Sequence, residues 1–173
     1  MIELRIHGLP APQGSKQYKG RSRKGFAILA ESSKRVGPWR ESICWQSREQ
    51  YKGEPLEGPL EICVTFWLPR PQAHYRMIDG QVSNRLKPRK PLFTTAATQG
   101  DIDKLLRSTM DGLAVKTGGC IALDDSQFVR LKLVEKRYVT ESEGPGALIQ
   151  VDHIEPFGLF VHPCCRVWPE LIL

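Results

Sequence analysis

The chain has 173 residues and a formal net charge of +6, from 25 Lys and Arg against 19 Asp and Glu. This length suits one domain with its own core, and 40% hydrophobic with 25% charged residues excludes wholesale disorder. No apolar run matches a membrane span of about 20 residues, and no signal peptide precedes the first strand-like alternation, so we expect neither a membrane-spanning protein nor a secreted disulfide knot.

The cysteines favour a reducing compartment. Their number is odd, at positions 44, 63, 120, 164 and 165. No two of them have the CxxC spacing, and the adjacent pair Cys164 and Cys165 does not easily form a relaxed disulfide. The sequence therefore predicts a reduced, cytoplasmic protein.

The apolar pattern predicts helices and strands along most of the chain. Strands are predicted at 2–8, 26–31, 60–68, 129–139 and 147–151, and helices at 37–51 and 101–115. The strand at 26–31 is expected to close a hairpin with the basic segment before it. Between residues 69 and 100 the regular pattern disappears, which predicts a long loop of the kind that is usually functional or disordered.

Positive charge is concentrated in the N-terminal third of the chain. Residues 1–52 carry 11 basic and 4 acidic side chains, and half of residues 15–24 are cationic. Aromatic and glycine residues lie between these cations, and a second basic stretch follows at 70–90. Cations of this kind suit a phosphodiester substrate, although most charge runs are simply solvated surfaces. The DNA-binding residues predicted from both stretches are Lys16, Lys19, Arg21, Arg23, Lys24, Arg70, His74 and Arg76.

Two aspartate pairs are the strongest candidates for chemistry. Asp101 and Asp103 converge if a helix begins only after Asp103, and the turn at Asp124 and Asp125 would add a third carboxylate. Carboxylate oxygens suit Mg²⁺ or Mn²⁺. The same residues also fit a structural reading, in which the aspartates cap helices and turns. In that reading Arg107 forms ion pairs with Asp103 and Asp111.

The order of these motifs resembles the RusA family of Holliday-junction resolvases. The resemblance is carried by DIDKLLRSTMDGL at 101–113 followed by LDDSQFV at 123–129. The segments PAPQGSK at 10–16, SSK at 32–34, PWR at 38–40 and PRPQAHY at 69–75 are similar to the phage and prophage branch of that family. The resemblance covers residues 2 to about 151.

The resemblance implies a homodimeric, Mg²⁺-dependent endonuclease of mixed α/β (α+β) fold that cuts branched DNA in recombination, replication or repair. This implied fold is a single domain at 1–155, with a mixed β-sheet and helices packed on it. The resemblance also implies that the protein acts in the bacterial cytoplasm or in an infected host cell. Asp101, Asp103 and Asp125 match the catalytic carboxylates, with Asp124 as a further metal ligand. The family's best-studied branch has Asn and Lys where this chain has Lys104 and Arg107, so either of these two takes the basic catalytic role.

Two alternatives stay open at this point. The chain is a branched-DNA-binding protein without cleavage if the aspartates are only caps, and a restriction-type nuclease is disfavoured because no carboxylate-then-Glu-x-Lys arrangement is visible. The apolar tail at 156–173 lies beyond the resemblance. It packs on its own subunit or reaches a partner subunit.

Overall fold

The fold is a mixed four-stranded sheet with two helices, an α+β arrangement in one domain. The computed structural model describes residues 1–14, 16–31, 33–140 and 143–154, so the predicted tail at 156–173 lies outside the described residues. The strands are β1 (Ile2–His7), β2 (Lys16–Arg21), β3 (Ala27–Glu31), β4 (Leu60–Leu68), β5 (Tyr75–Ile78), β6 (Gln81–Leu86), β7 (Phe128–Tyr138) and β8 (Gly146–His153). The helices are α1 (Val36–Gln50) and α2 (Ile102–Leu113).

The main sheet has the order β1-β8-β4-β7. Strand β8 runs antiparallel to both β1 and β4, whereas β7 runs parallel to β4. A parallel pair needs a long connection, and α2 provides it between β4 and β7. The predicted strands and helices are confirmed at all these positions.

One hydrophobic core lies between the sheet and the helices. Alternate residues of β4 are fully buried, as the strict alternation of that segment predicts, and they line up with buried residues of β1 and β8. Trp39 of α1 and Leu105 of α2 belong to the same cluster, and Trp39 Nε1 donates a hydrogen bond to Thr109 Oγ1 at 3.2 Å. The two helices therefore pack on one face of the sheet and are joined to each other there.

The segment 69–100 is not the continuous loop that the sequence predicts. Strands β5 and β6 form a two-stranded hairpin inside it, and short 3₁₀ turns lie at Gln72–His74 and Ala97–Gln99. Asp79 and Gly80 join the strands with φ of 50° and 77°. Asp-Gly is a preferred pair for such a two-residue turn, because both positions need positive φ. This local signal was available in the sequence.

The two edges of the main sheet differ. The backbone N–H and C=O of Arg5 and of His7 in β1 each bond to a side-chain amide of α1, with distances of 2.7–2.8 Å to Gln50 and Gln46. At the other edge, segment 92–94 covers only the end of β7, where Tyr138 N–H donates to Leu92 O at 2.7 Å. No described strand pairs with the rest of that edge. No helix within the described ranges is long and apolar enough to cross a membrane.

Candidate active site

Asp101 and Asp103 lie at the N-terminal end of α2, where a glycine sets the direction in which the chain approaches the helix. Gly100 has φ of +86°, and a Cβ added there would lie 2.4 Å from Pro12 Cγ. Only glycine tolerates both this backbone conformation and this close approach. The loop around Pro12 is tied to the same turn, because Gln13 N–H donates to Lys104 O at 3.0 Å.

The Asp101 carboxylate is not used as a helix cap. Asp101 occupies the capping position with an extended backbone, but its side chain accepts no bond from the helix amides. It bonds to Lys104 Nζ at 2.9 Å instead, and its side chain is 62% exposed. The hydrogen bond and charge of Lys104 hold the pKa of Asp101 below its usual value. The carboxylate is thus ionised and accessible to a ligand.

Asp103 and Arg107 are also exposed on α2, and neither forms a hydrogen bond or ion pair with a described residue. The predicted structural pairs of Arg107 with Asp103 and Asp111 are therefore absent from the described part of the chain. Asp111 forms its ion pair with Arg40 of α1.

Because α2 begins at Ile102, Asp101 precedes its first turn and Asp103 lies within it, so the helix does not begin only after Asp103 as the predicted convergence required. Both carboxylates are exposed to solvent, together with Lys104 in the first turn and Arg107 in the second.

Lys136 is a cation at this site that the sequence analysis missed. It lies on β7, and its Nζ donates to Gly100 O at 2.7 Å. Its charge also helps to lower the pKa of Asp101, after the larger effect of Lys104. Nothing in the local pattern around residue 136 marks it, since its role depends on how β7 packs beside α2.

The second aspartate pair has one structural and one unassigned member. Asp124 caps a short 3₁₀ turn by accepting from Ser126 N–H at 3.0 Å, and it forms an ion pair with Lys116 at 3.2 Å. The Ser126 amide, with a further contribution from Lys116, holds the pKa of Asp124 well below its usual range. Burial raises the pKa of Asp125, with added effects of Asp124 and Asp111. Asp125 is therefore the better candidate for chemistry.

The structure does not bring the two pairs together within one chain. Asp125 feels the charge of Asp111, in the last turn of α2, whereas Asp101 precedes the first turn. These ten residues of helix span about 15 Å. The described residues contain no group of three His, Cys, Asp or Glu side chains able to hold a metal ion. Asp101 and Asp103 alone fit the one or two carboxylates that Mg²⁺ uses beside water and phosphate.

Strands β2 and β3 form the predicted hairpin, called here the basic hairpin (residues 16–31). Lys19, Arg21, Arg23 and Lys24 are all exposed on it. Tyr18 and Phe26 are 60% and 71% exposed beside them. The mixture of cations and exposed aromatic rings is typical of a surface that binds phosphates and stacks on bases.

The second basic stretch divides into structural and exposed members. Arg70 donates from Nε to Val139 O at 2.7 Å and from Nη1 to Pro91 O at 2.9 Å, so it ties loop segments to the sheet. His74 lies edge-on to Tyr138, and burial together with Lys90, Arg70 and Lys87 lowers its pKa. Arg76 is exposed on β5. Among these three, Arg76 is best placed to meet DNA.

The loops that lead to both hairpins contact the chain around the start of α2. The loop before the basic hairpin contacts the first turn of α2 through Pro12 and Gln13. Gln99 Nε2 donates to Pro69 O at 2.6 Å, which ties the segment leading to β5 beside Gly100. The exposed carboxylates thus lie where two cationic arms leave the domain.

Comparison with known proteins identifies the family of this chain. The family profile described as Endodeoxyribonuclease RusA matches residues 10–152. A crossover junction endodeoxyribonuclease RusA of Aquifex aeolicus (strain VF5) is 29% identical over 68 residues, which is 39% of this chain and 50% of that protein. The chain therefore spans about half the length of the curated relative that it matches. The match of the profile to most of the chain, including both aspartate pairs, assigns this protein to the RusA family of endodeoxyribonucleases.

Proposed function

We propose that this protein is a structure-selective endodeoxyribonuclease that hydrolyses phosphodiester bonds in Holliday junctions and related branched DNA. The observation that carries the proposal is the pair of exposed carboxylates, Asp101 and Asp103, at the base of two cationic hairpins. The printed name of the Aquifex relative, a crossover junction endodeoxyribonuclease, supports the same substrate class. The proposed nuclease activity of this chain would serve recombination, replication or repair in a bacterial or infected cell.

A divalent ion, Mg²⁺ or Mn²⁺, fits the donor set at the start of α2. Family nucleases generally use divalent metal ions, and Asp101 and Asp103 offer the hard oxygens that such ions prefer. A bound ion would supply Lewis-acid activation of water and stabilise the charge that develops on the scissile phosphate. Lys104 and Arg107 would neutralise the phosphate, and Lys136 would keep Gly100 and Asp101 in position.

A two-fold dimer completes the proposed site. Within one chain the described residues form no metal-binding group of three carboxylates, so Asp125 of a second copy is the candidate for the third ligand beside Asp101 and Asp103. Paired cleavage of a symmetric junction also needs two active sites, which a C2 dimer provides.

Subunit mixing tests whether the carboxylates come from two chains. Asp103→Asn and Asp125→Asn are each expected to be inactive alone. If the site is shared, the mixed dimer has one site with Asp101, Asp103 and Asp125 all intact. Strand nicking should then return on mixing. No recovery in a mixture that has demonstrably exchanged subunits contradicts sharing.

The function itself is tested by strand cleavage of a synthetic four-way junction, with linear duplex beside it, with and without Mg²⁺. We expect metal-dependent cleavage of the junction and little of the duplex. Equal cleavage of both substrates contradicts the structural selectivity. Binding without cleavage in either metal favours the alternative, a branched-DNA-binding protein whose aspartates are not catalytic.

A further inference from the structure

The β5–β6 hairpin (residues 75–86) is almost entirely exposed. Within the described ranges its strands pair only with each other, and all of its residues except Tyr75, Ser83 and Leu86 are exposed. A two-stranded hairpin of this kind is at best marginally stable alone in water. Its outer part is therefore suited to bind a partner.

The base of this hairpin is fixed to the segment that leads into α2. Lys87 N–H donates to His74 O at 2.9 Å, and Lys87 Nζ donates to Ala73 O at 3.0 Å. The segment before the hairpin is held by Gln99 Nε2, which donates to Pro69 O at 2.6 Å. Strand β5 has four residues, so the turn of the hairpin lies about 13 Å along the strand from this base.

Three aliphatic side chains lie at the tip of the hairpin, next to the Asp79-Gly80 turn. Met77 is 58% exposed, Ile78 46% and Val82 44%. Met77 is paired with Val82 across the two strands and shares a face with it, whereas the adjacent Ile78 lies on the other face. The tip thus carries an apolar side chain on each face. An exposed apolar cluster of this kind marks a binding surface.

The charge around the tip points to an anionic partner. Residues 70–90 contain six Lys or Arg and one Asp. Arg76 and Arg85 are exposed on the two strands, between the tip and the base. A partner that accepts both features is anionic outside and apolar within. DNA and an anionic lipid surface both have this composition, and DNA is favoured because the hairpin starts beside the aspartates of the proposed nuclease site.

Aliphatic side chains reach the bases of DNA only where a base step opens. Minor-groove proteins insert Leu, Ile or Met between base steps, and intact duplex opposes this because each opened step loses its stacking. The cost is least where bases are already unpaired or unstacked. At a branch point the arms cannot all stack on one another, so an aliphatic tip meets less resistance there than in linear duplex.

We propose that Met77 and Ile78, at the tip of the β5–β6 hairpin, insert between bases at the branch point and make the chain prefer branched to linear DNA. Arg76 and Arg85 bind the phosphates beside that point. This inference rests on the proposed function in that branched DNA is the substrate. The preference comes from the cost of inserting the tip into intact duplex, so the site at Asp101 needs no preference of its own.

The fluorescence of 2-aminopurine, placed at the branch point, measures insertion, because this base brightens when it is unstacked. The full chain without divalent metal should brighten the junction several-fold and leave linear duplex unchanged. Met77→Gln with Ile78→Thr keeps the size of the side chains but removes their apolar character. This double variant should lose most of the rise and bind the junction about 10-fold more weakly. Its binding to linear duplex should match the wild type.

Trp45→Gln is the matched control, since Trp45 is an exposed apolar residue on α1, outside both hairpins. It should brighten and bind the junction like the wild type, and thermal melting shows that each variant is folded.

Disulfide cross-linking tests the same contact without the double variant. Ile78→Cys should cross-link to a thiol-bearing nucleotide at the branch point and not to one a helical turn away along an arm. Trp45→Cys should cross-link to neither, and the wild-type chain measures the background of the native cysteines.

Three results overturn the insertion: no brightening when the wild type binds the junction, a double variant that brightens it like the wild type, or cross-linking of Ile78→Cys that does not depend on the position of the nucleotide. If the double variant instead loses binding to phosphatidylserine vesicles or self-association in sedimentation, the tip serves a membrane or a second copy, which also overturns it. A wild-type chain that brightens and cross-links but cuts the junction with neither Mg²⁺ nor Mn²⁺ contradicts the proposed function and leaves the insertion standing. Cutting of the junction without brightening has the opposite meaning.

Discussion

One pair of aspartates lies at the N-terminal end of α2 and the other on the 3₁₀ turn that packs against α2, and the two pairs are used differently. At the N-terminal end, Asp101 occupies a capping position but bonds to a lysine rather than to the backbone. Near the C-terminal end, Asp124 caps its turn through Ser126 N–H. The same residue type in the same kind of motif is thus a ligand candidate at one end and a structural cap at the other. The two roles are distinguished by the group to which each carboxylate bonds in the structure. The position of the aspartate in the sequence motif does not distinguish them.

The largest expected effect is a loss of cleavage on replacing Asp103, at the N-terminal end of α2. Asp103→Asn keeps the size of the side chain but removes a ligand charge. We expect junction cleavage to fall by about 10²- to 10³-fold, as for loss of one electrostatic group at a reacting centre. Binding should persist or tighten, because less negative charge faces the phosphates. Cleavage rates and gel-shift titrations measure the two effects.

Asp152→Asn is the matched control for that variant. Asp152 is a charged residue on β8 whose partner is the N-terminal amine. Its replacement should leave cleavage within about two-fold, in line with the small effects usual for exposed ion pairs. If Asp103→Asn cleaves as well as this control, Asp103 has no catalytic role.

Gly100→Ala tests whether the close approach of Pro12 holds the N-terminal end in place. The backbone at this glycine is almost inaccessible to other residues, so strain of about 1–3 kcal/mol is expected before the clash with Pro12 is counted. The melting temperature should fall by about 2–4 °C for each kcal/mol. Gly37→Ala, where a Cβ meets nothing within 4 Å, should not lower it.

The basic hairpin supplies cations that we expect to bind DNA phosphates near the N-terminal end of α2. Replacing Arg21, Arg23 and Lys24 by alanine should weaken junction binding without sequence preference. The slope of log K against log salt should flatten by up to about 0.9 for each phosphate that the variant no longer neutralises. Arg48→Ala with Lys52→Ala on and after α1 removes cations outside either hairpin and should leave the slope unchanged. An unchanged slope in the hairpin variant identifies a merely solvated surface.

The smallest expected effects are on the pH dependence of stability, which should differ between Asp124 and Asp125. The pKa of Asp124 is lowered in the folded chain, so its contribution to stability is present above the usual value of 3.8 and is lost on acidification. The pKa of Asp125 is raised, so the folded state is destabilised as pH rises from 3.8 through that raised pKa. Asp124→Asn should therefore lower the melting temperature at neutral pH, whereas Asp125→Asn should raise it or leave it unchanged.

Thermal melts of both variants across about pH 3–7 give the measurement. The difference between each variant and the wild type should have opposite pH dependence for the two positions. Curves that run parallel would mean that the two carboxylates share one environment, against the hydrogen bonding of the turn.

Features that depend on local pattern were predictable from the sequence. The alternation at β4 and the apolar side of α2 define strand, helix and core. The β5–β6 hairpin was equally local, since Asp79-Gly80 is a known turn pair, but the surrounding charges concealed the short strands. The exposed side chains of β7 could not be inferred, because alternation predicts a strand and not whether its apolar side is covered.

Features that depend on how strands and helices pack were not predictable. Lys136 reaches Gly100 only because β7 lies beside α2. The separation of Asp101 from Asp125 depends on the direction of α2 relative to the turn after it. Each of these facts joins residues 24 or more positions apart, and no local spacing encodes such a distance.

The position of β8 has a consequence for synthesis of the chain. This strand lies between β1 and β4, so it pairs Val151 with Ile2 on one side and with Ile62 on the other. Closing such distant pairs is slow, and the chain leaves the ribosome from its N-terminus. The sheet cannot close until residue 153 has emerged from the ribosome. An incomplete nascent chain therefore carries Asp101, Asp103 and the basic hairpin without the finished sheet that positions them.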